Sequence, residues 1–226
     1  MNQIPIRELK KKVLVLLQGP DFAAALEAMS SFPPRRIVNP LFSFLYHGDP
    51  LIRWRAVTAL GAVTASLAER EMESARVVFR RLMWNLNDES GGIGWGSPEV
   101  MGEILARHRE LRGEYLSIFL SYLRPEGNYL EHEGLQQGLL WGAGRVAQAA
   151  PDSILAAAPL IEMHLDSTNS TSRGAAAWSC GCMGDRAAAS RLEALVDDTG
   201  KFDLFEDLTL YHTTVGRTAR RALAKM

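Results

Sequence analysis

The sequence predicts an all-α fold, an α-α superhelix of about five helical pairs behind an N-terminal helical cap. Three observations carry this. Ile52, Ala56, Ala59, Leu60, Val63 and Leu67 follow one another at intervals of 4, 3, 1, 3 and 4, the stripe of an amphipathic helix. Leu (30) and Ala (28) dominate the 226 residues and β-branched runs are few, which favours helices. The second half of the stretch 41–67 also recurs. Arg53-x-x-Ala56-x-x-Ala59-Leu60-Gly61 matches Arg173-x-x-Ala176-x-x-Ser179-Cys180-Gly181 at a shift of 120. Gly142-Ala143-Gly144 falls on Ala59-Leu60-Gly61 at 83, and Ala219-x-x-Ala222-Leu223 on Ala56-x-x-Ala59-Leu60 at 163. Self-similarity about every 40 residues marks helical pairs that bury their apolar faces only by stacking.

Taken in order, residues 5–18 read as a first helix, ended by Gly19-Pro20. Asp21 caps a second over 22–30, broken by Phe32-Pro33-Pro34. Residues 1–34 are thus the cap and 35–226 the repeats, in one domain without a linker. Ile37, Leu41, Phe44 and Leu45 stripe the next helix; Gly48 breaks it, and Asp49 caps a helix whose first residue is Pro50. Helices follow over 69–86, from a Ser97 cap to about 108, and over 113–123, 131–150, 159–165, 171–183, 187–196 and 215–225. Two irregular loops interrupt the array, 87–98 and 197–212. The second has apolar residues of its own, Phe202, Leu204, Phe205 and Leu208.

The residues Asp49-Pro50, Arg53, Ala56 and Ala59-Leu60-Gly61 follow the pattern D-P-x-[VI]-R-x-x-A-x-x-A-L-G. This resembles the signature of HEAT-like repeats, including the short form named after phycobilisome lyases. The resemblance implies a HEAT-like solenoid from a bacterial member of that family. It also implies the family's usual task, holding a partner along a concave groove.

Net charge is −1, so no global field draws the chain to nucleic acid or acidic membranes. Of 25 basic residues 20 are Arg, the residue suited to fixed ion pairs. Cys180 and Cys182 are the only cysteines; with one residue between them they make poor disulfide partners, which points to a reducing cytoplasm. The apolar run near the N-terminus is too short for a signal peptide or a membrane span. No phosphate-loop or nucleophile-elbow pattern is present, and no catalytic residue, cofactor or metal is expected.

Candidate partner-binding residues are departures from the repeat. The loop 87–98 holds Glu89, four glycines and Trp95, with Glu99 just beyond; a Gly-rich loop on a rigid scaffold often binds. Trp141 and Trp178 both fall on the position of Thr58, a flank expected to face the groove, where Trp supplies area and one donor; the alternative is that they fill space between repeats. Glu133, Arg145 and Arg173 would set polarity beside them. The expected ligand is therefore a protein segment in the groove. His132-Glu133 resembles one metal-binding element of deoxyhypusine hydroxylases, HEAT-repeat enzymes that use several His-Glu pairs, whereas this chain has one. Cys180 aligns with Leu60 and is expected in the core. A metal- or small-molecule-dependent enzyme or chaperone is the second reading. A nucleic-acid binder, by analogy with HEAT-like DNA glycosylases, is the third.

Overall fold

The computed structural model describes residues 4–87 and 94–226. Its contacts divide into two compact units, Met1–His108 and Arg109–Met226. Among the described residues each unit holds three helical pairs.

In the first unit the pairs are α1 (Ile6–Gln18) with α2 (Phe22–Ser30), α3 (Pro34–Phe44) with α4 (Pro50–Ala68), and α5 (Met72–Leu86) with α6 (Ser97–Arg107). Asp21 caps α2 through Ala24 N at 2.9 Å. Asp49 caps α4 through Leu51 N at 2.8 Å, with Pro50 first in the helix. The predicted stripe of α4 is buried, and so are Val57, Thr58 and Thr64 on its other sides. The expected open flank at Thr58 is thus absent, because α4 is packed by α3, α5 and α6 together. The α6 boundary also differs: Gly96 precedes the helix at φ 76°, and Ser97 is its first residue rather than its cap.

In the second unit the pairs are α7 (Arg109–Ser121) with α8 (Glu133–Ala149), α9 (Ala158–Glu162) with α10 (Ser170–Met183), and α11 (Ala189–Ala194) with α12 (Val215–Leu223). Short 3-10 turns precede and extend α9 and precede α11. The stretch expected as the irregular loop 197–212 is largely a β-hairpin, β1 (Lys201–Glu206) antiparallel to β2 (Thr209–Thr214). It is the one sheet among the described residues.

The repeat has a physical content in each unit. Asp49, His132 and Asn169 are equivalent under the shifts of 83 and 120, and each side chain accepts from the N–H two residues on, at 2.8, 3.1 and 2.8 Å. Arg53 Nη1 donates to the carbonyl of His47 at 3.0 Å, and its equivalent Arg173 does the same to Ser167 at 2.7 Å. These arginines tie the turn within a pair to the second helix. Gly61, Gly144 and Gly181 are also equivalent. A Cβ on Gly61 would lie 2.4 Å from Glu103 Cγ on α6, on Gly144 2.3 Å from the Trp178 ring on α10, and on Gly181 2.7 Å from Ala222 on α12. Each glycine is where one second helix touches the next.

Gly181→Ala is therefore expected to cost about 1–3 kcal/mol, because the clash is with Ala222 itself and no flexible side chain can yield. Gly113→Ala, exposed on α7 with open space around its Cβ, is expected to gain about 0.5–1 kcal/mol. Urea denaturation midpoints of the two variants should move in opposite directions.

Candidate functional site

The second helices α8, α10 and α12 pack side by side, and β1 crosses the face they form. Its neck is fixed first. Arg173 Nε donates to Asp198 Oδ2 at 2.8 Å, and this bond, with help from the Gly200 N–H and the Arg173 charge, outweighs burial and holds the Asp198 carboxyl below its ordinary range. Val215 N and Gly216 N return to Gly200 O and Asp198 O at 2.9 Å each. Ser170 Oγ on α10 donates to Lys201 O at 2.7 Å. The Phe202 ring then lies on Gly174, where a Cβ would approach it to 2.2 Å.

Trp141 and Trp178 lie under the far end of β1. Their rings stack at 6.1 Å and 15°, each only 3% exposed. Trp141 Nε1 donates to the Phe205 backbone carbonyl at 2.8 Å, and Trp178 Nε1 to Glu206 Oε1 at 2.9 Å. The same carboxylate accepts from Arg221 at 2.5 Å, with Lys225 Nζ at 3.9 Å. Burial opposes ionisation of Glu206, but the bonds from Trp178 and Arg221 and the charges of Arg221 and Lys225 outweigh it, so its pKa lies below the usual range. Both indole donors, the natural handles for a ligand, are thus used by the chain's own strand.

The hairpin closes with a two-residue turn, Asp207 at φ 49° and Leu208 at φ 61°, the type I′ geometry that matches strand twist. That turn makes Glu206 and Thr209 a hydrogen-bonded pair, and the register makes Leu204–Tyr211 and Phe202–Thr213 the next two. The N–H and C=O groups of Leu210 and His212 therefore point away from β1. No backbone bond within the described residues reaches them. Tyr211 between them is 43% exposed, and the His212 ring is held by Asp203 Oδ1 at 2.5 Å.

The residues singled out in the sequence fall in different places. Glu133, Trp141, Arg145, Arg173 and Trp178 come together on α8 and α10. Glu133 accepts from Asn169, the cap of α10, at 3.1 Å. Arg145 bonds Gln148 one turn on. Arg173 is shared between Ser167 and Asp198. His132 is the α8 cap, its Nδ1 accepting from Gly134 N. Trp95 and Glu99 belong to the first unit; Trp95 is 41% exposed in the turn before α6. Glu89 lies outside the described residues. Sequence reasoning missed Glu206 and Gly174 and read Phe205 only as an apolar residue of the loop 197–212. The alternation of Phe202, Asp203 and Leu204 was their signal, but no Asn-Gly marked the turn.

Glu99 sits in the first turn of α6. Burial pushes its carboxyl up to about 7, against a backbone hydrogen bond in its own turn and the charge of Arg53, and its Oε2 has no hydrogen-bond partner among the described residues. Burial likewise drives the Cys180 and Cys182 thiols up to about 12, so both are protonated, Cys180 in the core and Cys182 half-buried beside it. Among the described residues no three His, Cys, Asp or Glu side chains converge as metal ligands, and no helix is long and apolar enough to cross a membrane.

Helical pairs stacked through equivalent glycines define the fold class, an all-α superhelix of helical repeats. Comparison with known proteins agrees at the level of fold. No family model matches the chain. An uncharacterized protein of Archaeoglobus fulgidus is 31% identical over 115 residues, 51% of this chain and 56% of its own length, so the match spans about half of either protein. An engineered protein superposes with a TM-score of 0.53 at 18% identity, covering 100% of this chain and 96% of its own. A designed armadillo repeat protein in complex with the peptide (KR)4 gives 0.52 at 17%, covering 96% and 99%.

Two pH responses follow, of opposite sign. Glu206 has a lowered folded pKa, so its contribution is present above the unfolded value of about 4.5 and is lost as pH falls through the folded one. Glu206→Gln should cost about 2 kcal/mol at pH 7, and its difference from wild type should shrink as pH falls below the unfolded value of about 4.5 and on through the lowered folded one. Glu99 has a raised folded pKa, so its cost sets in as pH rises above the unfolded value of about 4.5 and is complete above about 7. Glu99→Gln should be neutral at about pH 3.5, below the unfolded value, and stabilise by about 1–3 kcal/mol near pH 8.5. Denaturant titrations of both variants across this range check the two signs.

Proposed function

We propose that this chain is a non-catalytic interaction scaffold that binds an extended segment of a partner protein, and that the segment pairs with the outer edge of β2. The observation that supports this reading is the open backbone edge at Leu210 and His212. An edge strand free of Pro, Lys, Arg, Asp and Glu is a template for another strand, and Thr209–Thr214 has none of these five. The tryptophans expected to touch the partner act in this reading one step back. They anchor β1, and β1 holds β2 in register. A partner that instead displaced β1 would have to strip Phe202, Leu204 and Phe205 from a buried position, at about 1.5–3 kcal/mol for each side chain. The open edge costs nothing comparable to use. The repeat fold accommodates peptides in the designed armadillo protein noted above.

His212→Pro removes one outward N–H where proline is tolerated in an edge strand, and His212→Ala removes the ring while keeping that N–H. A partner captured from native lysate and identified by mass spectrometry should lose at least about tenfold in affinity with the proline variant and stay within about twofold with the alanine variant, with helical circular dichroism unchanged in both. Equal capture by all three proteins would refute the edge-pairing reading.

A further inference from the structure

The first helical pair carries an exposed apolar face. Here Val15 on α1 is 67% exposed, and beside it a trough of about 400 Å³ runs between α1 and α2. Its apolar lining is Val15, Leu16, Ala28 and Phe32, beside Lys11, Lys12 and Ser31. The acids nearest in sequence on these helices, Glu8 and Glu27, do not line it. Lys10 is turned elsewhere, 5.4 Å over the Phe44 ring.

Two features define what fits. The trough lies between α1 and α2, and its apolar lining is a surface that the stripe of an amphipathic helix can cover. The lining also has two cations and no carboxylate. We propose that this trough is a second docking site, which takes an amphipathic helix of a partner protein with an apolar stripe flanked by Asp or Glu. The stripe sets side chains at i, i+3, i+4 and i+7 against Val15, Leu16 and Phe32, and the flanking carboxylates meet Lys11 and Lys12. The site is independent of the β2 edge and uses a different recognition mode, helix in groove rather than strand addition.

The test uses the full chain and two synthetic peptides of about 15 residues with the same leucine stripe, one flanked by Glu and the other by Lys. In fluorescence anisotropy the Glu peptide should bind at least about tenfold more tightly than the Lys peptide and weaken at about 0.5 M salt. Val15→Glu should abolish its binding, and Lys11→Glu with Lys12→Glu should reverse the preference so that the Lys peptide binds. These side chains are exposed, and unchanged circular dichroism shows that the variants fold. Equal binding of the two peptides, no binding of either, or undiminished binding by Val15→Glu would overturn the proposal. So would self-association of the wild-type chain that Val15→Glu abolishes, since the trough would then belong to a second copy. Loss of strand pairing in the His212→Pro variant leaves this outcome untouched, so the two sites fail or stand separately.

Discussion

The constraint on which each unit depends is the approach of one second helix to the next at a single residue that has no side chain. Gly61, Gly144 and Gly181 occupy that place, and a methyl group at any of them would fall within 2.7 Å of the neighbouring helix. Dispersion and burial then act along the whole contact, because α4 with α6, α8 with α10, and α10 with α12 lie closer than large side chains would let them. Polar groups follow the same line of contact. Ser179 Oγ on α10 donates to Leu140 O on α8 at 2.6 Å, and Glu103, 1% exposed against Gly61, stays satisfied through Arg107 at 2.7 Å.

The turns inside the pairs obey a second rule. What matters at the cap is an acceptor reaching the N–H two residues ahead, so a carboxylate, an imidazole and an amide serve equally at Asp49, His132 and Asn169. The arginine of the repeat satisfies a carbonyl that the preceding helix leaves open. Residues that look chemical in isolation, His132 with Glu133 and Arg173, are spent on this scaffolding.

The hairpin joins these packing rules to function. By laying a strand across α8, α10 and α12 the chain covers its own aromatic pair and satisfies both indole N–H groups. The glutamate that completes this, Glu206, is 5% exposed and stays ionised because Trp178, Arg221 and Lys225 surround it. The same strand that shuts the helical face carries β2, whose outer edge is left open.

The sequence by itself determined the helices, their pairing and the repeat. Those depend on apolar period, on caps and on glycine at fixed spacing, all of which are local. The five pairs and the cap at α1 and α2 were legible for that reason, with errors of a few residues at the ends. The burial of Trp141 and Trp178 was not. Their helical position placed them on a flank of the helix but could not say what covers that flank. The covering strand lies 64 residues from Trp141 in the chain, and its turn, Asp207-Leu208, lacks the glycine that would announce a type I′ hairpin. Only the tertiary structure decided that this face is closed and that an edge of β2 stands open in its place. Contacts between residues far apart in sequence leave no period to read.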